Sequence, residues 1–454
     1  MRRNPFIRNK LARDCSDCAR ADLRGVAFPG AVSAPDIHRD VLPNGLRLLT
    51  ERMPHVRSVS IGVWLTRGSR HEPAAHEGIA HFVEHMLFKG TATRSAEDIA
   101  QQIDSIGGHL DAFTSKEYAG YFIKVLDEHL PLAVDVLSDL VTAPAFDAAE
   151  IEREKKVVLE EIKMVEDTPD DLVHELFAGG FWPKHPLGRP ILGQPETVAA
   201  LDQATLRRYF TDAYVASNFV VAAVGNVEHA RVRDLVHGAF RNVPSHGSAI
   251  ADVVPAPAAD VLVRAKDLEQ SHVCFGTPGL AYNDPDRYVG FALNTMLGGS
   301  MSSRLFQNVR EKRGLAYSVF SSLSSYRDAG AFTVYAGCAN ESVAELVDVV
   351  VQELRRMRDE PLAAGELRRA KDHLKGSLML GLESTSSRMS HLARLAIYDD
   401  PEESLDAMLD AIEQVNEGDV ARVAQRVLSP GTLGLTVLGG VNGLEIPAEQ
   451  LALA

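Results

Sequence analysis

The sequence predicts an α+β protein built from two homologous halves, each a mostly antiparallel sheet with helices packed on one face. An internal repeat and the chain length carry that expectation. The first copy begins with E-H-M-L-F-K-G at 84–90 and continues through a helix at Ser95–Ile106 and strands at 109–113 and 118–125. It ends in a helix containing D-V-L-S-D-L-V at 135–141. The second begins with N-T-M-L-G-G-S at 294–300, followed by a helix at Ser303–Lys312, strands near 316–322 and 331–337, and D-V-V-V-Q-E-L at 348–354. The offset between copies stays near 210 residues, so one unit of about 200 residues occurs twice. A chain of 454 residues has room for both. Pro255, Pro257 and the alanines of 251–259 mark a linker. The expected organisation is a flexible extension over 1–35, one half over 36–250, the linker, and the other half over 260–454.

The chemistry is concentrated in H-F-V-E-H at 81–85. Ile79, Phe82, Met86 and Leu87 fall at helical spacing between Gly78 and Gly90, so the run reads as a helix. His81 and His85, four apart, share one face, with Glu84 on the adjoining strip. Charged groups in so apolar a stretch are costly unless paired or bound to metal, and two imidazoles beside a carboxylate form the pattern of a zinc hydrolase. Such sites usually take a third protein ligand. The segment Asp147–Glu166 is its expected source, a helix with Asp147 as N-cap and Ile151, Val158, Ile162 and Val165 as its apolar stripe. At about 100° per residue, Glu154 and Glu161 flank that stripe while Glu160 points away into solvent. Two turns separate Glu154 from Glu161, so one is expected to be a ligand and the other a support behind it.

These residues resemble the inverzincins of the pitrilysin and mitochondrial-processing-peptidase type, in which H-x-x-E-H reverses the usual zincin order. In that family a glutamate 76 positions beyond the second histidine completes the metal site, which here is Glu161. A second glutamate seven residues earlier matches Glu154, and E-R-E-K-K-V-V-L-E-E-I at 152–162 is similar to the family's helix. Q-N-V-R-E-K-R-G-L-A-Y at 307–317 resembles the segment through which the other half reaches the site, so that Arg310 and Tyr317 would fix the substrate. The resemblance covers roughly residues 38–440. It implies a zinc metalloendopeptidase with one Zn²⁺ per chain, held by His81, His85 and Glu161, with Glu84 as general base and Glu154 in support. It also implies that the strand His109–Thr114 is a sheet edge to which an extended peptide adds through Leu110, Asp111, Ala112 and Phe113. Four such units enclose the family's chamber. A chain with two is therefore expected to form a homodimer.

The rest of the chain limits the alternatives. Aligned on Met86 and Met296, the second copy has Phe291, Asn294 and Thr295 in place of His81, Glu84 and His85, and cannot hold zinc there. Without the resemblance, Arg310, Lys312 and Arg313 read as cations suited to a helix end before Gly314. Gly298, Gly299 and Ser300 lack the lysine and spacing of a phosphate loop. With 47 basic and 62 acidic residues the net charge is −15, which disfavours nucleic acid and favours basic peptides. No apolar run reaches the ~18–20 residues of a membrane span. Cys15 and Cys18 form a lone pair with no assigned role, and Cys274 and Cys338 are expected to be buried in strands. The first 30 residues hold seven Arg or Lys and three Asp with no apolar core. That composition is not a secretory signal and favours a cytoplasmic protein over a mitochondrial one. The competing function is that of a non-catalytic partner subunit, but members of that kind typically lack part of the H-x-x-E-H set.

Overall fold

The computed structural model describes residues 36–248, 253–400, 404–447 and 449–453. The extension over 1–35, with Cys15 and Cys18, lies outside them. The first half contributes β1 (Asp36–Val41), β2 (Arg47–Arg52), β3 (Ser58–Leu65), β4 (His109–Thr114), β5 (Ala119–Leu126) and β6 (Phe219–Gly225). Its helices are α1 (Ile79–Leu87), α2 (Ala96–Asp104), α3 (Leu130–Thr142), α4 (Ala148–Asp167), α5 (Pro169–Phe181), α6 (Pro195–Ala200), α7 (Gln203–Ala213) and α8 (His229–Phe240). The second half contributes β7 (Val261–Ala265), β8 (Gln270–Pro278), β9 (Ala316–Ser325), β10 (Gly330–Ala339) and β11 (Gly434–Gly439). With them come α9 (Arg287–Leu297), α10 (Val343–Asp359), α11 (Glu366–Gly381), α12 (Thr385–Ile397), α13 (Leu405–Gln414) and α14 (Glu417–Val427).

The expected α+β class is the one found, and the repeat is visible in strand order. The first sheet runs β1-β2-β6-β3-β5-β4 and the second β7-β11-β8-β10-β9. With β1 set aside, each position matches, including one parallel pair at the same place, β2 with β6 and β7 with β11. All other neighbours are antiparallel. Strand ends fall within a few residues of expectation. The segment expected as a regular helix over 303–312 instead winds into a π-helical turn at Phe306–Glu311. Wider turns of this kind commonly mark functional segments of a chain.

Each sheet packs most of its helices on one face, as expected, and the other face is covered too. In the first half Leu48, Ile61, Val63, Val221 and Ala223 pack under α1, α3, α4 and α8. The alternate residues Leu49, Trp64, Val220, Ala222 and Val224 pack against Met389, Leu392 and Ala393 of α12, a helix from the second half. The reverse occurs across the molecule, where Leu172, Val173 and Phe177 of α5 cover Cys274, Tyr335 and Leu438 of the second sheet. Gly276 in β8 makes that approach possible: a Cβ there would stand 2.2 Å from the Phe177 ring. Strands covered on both faces must be apolar at successive positions, and β6, F-V-V-A-A-V-G, is buried throughout. Cys274 and Cys338 are buried free thiols.

A buried charge cluster ties the halves together beside the β4–β5 turn. Arg70, its side chain only 3% exposed, donates to Glu117 at 2.6 Å and to Asp328 at 2.7 Å. Glu117 also accepts from the Tyr398 hydroxyl at 2.8 Å and from the Arg327 backbone N–H.

Candidate active site

The helix α1 starts at Gly78, which sits in the left-handed region at φ 89° and offers no side chain to cap it. Glu72 supplies the cap. Its two carboxyl oxygens accept from the Gly78 and Ala80 N–H groups at 2.9 and 2.8 Å, groups that a helix start leaves without an intrahelical partner. Burial pushes this carboxyl up to about 8, against the pull of the two N–H groups and nearby Lys116.

Ile79, Phe82, Val83, Met86 and Leu87 are buried in the core, which fixes the helix phase and turns His81 and His85 toward α4. Their Nε2 atoms lie 3.2 Å apart. Glu161 of α4 brings Oε2 to 3.8 Å from His81 Nε2 and 3.6 Å from His85 Nε2. The three donor atoms fall within 4.8 Å of one another, and among the described residues no other such cluster of three or more occurs. On the same helix Glu154 is buried, whereas Glu160 is exposed and paired with Lys163.

Glu154 Oε1 meets His85 Nδ1 at 2.8 Å, and its other oxygen meets Lys89 at 2.8 Å. A carboxylate holding Nδ1 fixes the ring's orientation and leaves Nε2 as the atom turned toward Glu161. Burial, and then the neighbouring His85, lower the His81 pKa to about 3, so His81 is neutral. The two Nε2 atoms and the Glu161 carboxylate thus surround one point from three sides. Imidazole with carboxylate at this spacing is the ligand chemistry of zinc. The residues present fit such an ion.

Glu84 is directed to the other side, where it accepts from the Thr114 hydroxyl at the end of β4. Burial raises its pKa, partly offset by that hydrogen bond and by His85. It is therefore a stronger base than an exposed glutamate, standing next to the triad and outside it. β4 is the sheet's edge strand, paired only with β5, and carries Leu110, Asp111, Ala112 and Phe113 with one backbone edge unpaired in the sheet. Arg310 and Tyr317 make a pair of their own. The Arg310 guanidinium donates to the Tyr317 carbonyl at 2.8 Å and lies over the Phe306 and Tyr317 rings at 4.8 and 4.4 Å. Tyr317 is 80% exposed. Among the described residues neither makes a hydrogen bond or ion pair with the triad.

Three contributors were not legible as such: Glu72, Thr114 and Lys89. Lys89 could have been found, since it lies one turn beyond His85 on the same face. Glu72 and Thr114 act from a loop and a strand end and leave no periodic trace.

A compact metal-type site of two histidines and one glutamate, on a duplicated α+β scaffold with one bare half, defines the class. Residues 47–195 match the model described as insulinase (peptidase family M16), and residues 200–374 match the one described as the peptidase M16 inactive domain. A Bacillus subtilis protein named uncharacterized zinc protease YmxG is 43% identical over 393 residues, 87% of this chain and 96% of that protein. An uncharacterized zinc protease of Streptomyces coelicolor is also 43% identical, over 92% of this chain and 93% of its own. Among solved structures, a peptidase M16 inactive domain from Pseudomonas fluorescens superposes with a TM-score of 0.85 over 91% of this chain and 100% of that one, at 21% identity. A protease from Helicobacter pylori gives 0.83 over 89% and 99%, at 23% identity. The chain belongs to the M16 insulinase peptidase family.

Proposed function

We propose that the protein is a zinc metalloendopeptidase of the processing-peptidase kind that cuts extended or unfolded peptides. The observation that carries this reading is the convergence of His81, His85 and Glu161 on one point, with the Glu84 carboxylate held next to it by Thr114. The relatives' names, which include zinc protease, support it. His81, His85 and Glu161 would hold one Zn²⁺ per chain. Zinc supplies Lewis acidity, which brings water within reach of deprotonation near neutral pH. Glu84 takes the proton of the attacking water and returns it to the leaving amine. Its raised basicity suits the first step, and the hydrogen bond from Thr114 fixes the carboxyl group. Glu154, anchored by Lys89, orients His85.

The peptide adds to β4 along Leu110–Phe113 in extended form, so its main chain supplies affinity and sequence matters less. Arg310 and Tyr317, from the non-metal half (260–454), fix it and steady the developing oxyanion over the zinc half (36–250) across the 251–259 linker. Two chains pair as a homodimer around a shared acidic cavity that favours basic peptides. The proposed location is cytoplasmic. Among the described residues no helix is long and apolar enough to cross a membrane. Turnover of a quenched peptide library by the zinc-loaded chain tests this reading. Cleavage that Glu84→Gln abolishes is expected, and a wild-type protein that binds zinc but cuts nothing would overturn it.

A further inference from the structure

In the second half, two of the positions corresponding to the triad line a cavity. Phe291, Asn294 and Thr295 of α9 occupy the positions of His81, Glu84 and His85. The same helix positions are buried in α1 and α9, with Thr295 added. α11 packs on α9 as α4 packs on α1. Leu367, Ala370, Leu374 and Ser377 repeat the spacing of Ile151, Glu154, Val158 and Glu161, which sets Ala370 at the place of Glu154 and Ser377 at that of Glu161. Phe291 and Ser377 both line a cavity of about 520 Å³. His81 and Glu161 thus have a phenyl ring and a hydroxyl at their places, both lining the cavity, while Thr295, at the place of His85, is buried.

The rest of the wall says what fits. Tyr282, Tyr288, Leu323 and Leu378 are mostly apolar, and Phe291 remains 39% exposed, a large apolar surface without cover. Arg287 on the same wall is held by Asp400 at 2.9 Å. Arg394 is exposed and, among the described residues, has no carboxylate partner. The cavity is also joined to the edge strand by rings in sequence: Phe113 of β4 to Tyr118 at 5.8 Å, Tyr118 to Tyr398 at 6.4 Å, and Tyr398 stacked on Tyr282 at 3.9 Å.

We propose that this cavity is a second docking site for the substrate, taking an apolar side chain that is followed in the peptide by an acidic one, whose carboxylate Arg394 receives. The inference rests on the reading of β4 as the strand to which the peptide adds. A mostly apolar cavity, its wall also carrying His391, Asp400 and a guanidinium without a carboxylate partner among the described residues, complements that pair of side chains. Engagement at both places would favour peptides long enough to span them, since the second contact forms within an already bound chain.

The test uses the Glu84→Gln protein, which binds without turnover, and fluorescein-labelled, C-terminally amidated peptides of about fifteen residues. A Phe-Glu pair is walked through a Gly/Ser/Thr background, with Ser-Glu and Phe-Gln versions of each peptide. Anisotropy should give one favoured position at which both altered peptides bind about tenfold more weakly. Adding Ser377→Trp, which fills the cavity, should cause the same loss for Phe-Glu. Adding Arg394→Gln should abolish the preference for Phe-Glu over Phe-Gln. Zinc content and melting temperature, measured alongside, show that each variant is folded. Equal binding of the three versions at every position, no binding of any, or indifference to Ser377→Trp in a folded variant overturns the proposal. The peptidase reading fails separately: a wild-type protein with these binding preferences that cleaves nothing keeps the docking site and loses the chemistry.

Discussion

Single side chains decide whether this site works, and their roles predict different failures. Glu84→Gln removes the group that accepts water's proton but no metal donor, so zinc should stay near one per chain while turnover falls by orders of magnitude. His81→Ala and Glu161→Gln each remove a donor and should lose both metal and turnover. Glu160→Gln touches only the exposed Lys163 pair and should change stability by less than about 0.5 kcal/mol. Metal analysis beside peptide turnover separates these classes, and a Glu84→Gln variant with near-normal turnover would sink the assignment. That His81, Glu84 and His85 could be singled out at all follows from helix period: the buried neighbours at 79, 82, 83 and 86 leave one strip free, and those three residues fill it. The same arithmetic separates Glu161 from Glu160 on α4. Thr114 and Glu72 obey no such period, because their positions depend on how a strand end and a loop fold back onto α1, and tertiary contacts are not written in local spacing.

At the scale of elements, α1 depends on a cap, Glu72, that lies six residues before Gly78 at its start. The Glu72 carboxyl has a folded pKa of about 8 against an ordinary value near 4.5. Between those two pH values the unfolded chain is ionised while the folded chain retains the proton. The stability contributed by Glu72 is therefore present below about 4.5 and lost as pH rises through about 8. Thermal melts of EDTA-treated protein from pH 5 to pH 9 should show wild type losing more stability than Glu72→Gln, whose amide does not titrate; parallel curves would refute this. The π-helical turn at Phe306–Glu311 is a second case. A regular helix is the natural reading of Q-N-V-R-E-K-R, but Arg310 instead leans over Phe306 and Tyr317 and donates to the Tyr317 carbonyl. Tyr317→Phe keeps the ring and removes only the hydroxyl, so melting temperature should hold. If that hydroxyl steadies the oxyanion, kcat should drop about tenfold or more. Unchanged kcat would leave the pair a purely structural clasp.

The duplication was legible in the sequence because each copy repeats its own apolar pattern, but the exchange of helices was not. α5 and α12 are amphipathic like their neighbours, and nothing local says that each covers the other half's sheet. That exchange makes the halves interdependent: removing either uncovers an apolar face of the sheet left behind, and the Arg70, Glu117 and Asp328 cluster loses partners with it. The chain's two tryptophans stand on opposite sides of this arrangement, Trp64 under α12 and Trp182 beside α5, each nearly fully buried. Single-tryptophan proteins made by Trp182→Phe and Trp64→Phe can therefore report on the two sheets separately. Met389 of α12 is fully buried against the first sheet, and Met389→Ala should cost about 2–5 kcal/mol, as truncations at packed sites do. If the halves form one cooperative unit, adding Met389→Ala should lower the denaturant midpoint equally in both reporters, even though Met389 comes from the second half's sequence and Trp182 sits on the far sheet. Should only the Trp64 signal move, the exchanged helices cover each sheet without coupling them, and the two halves unfold on their own.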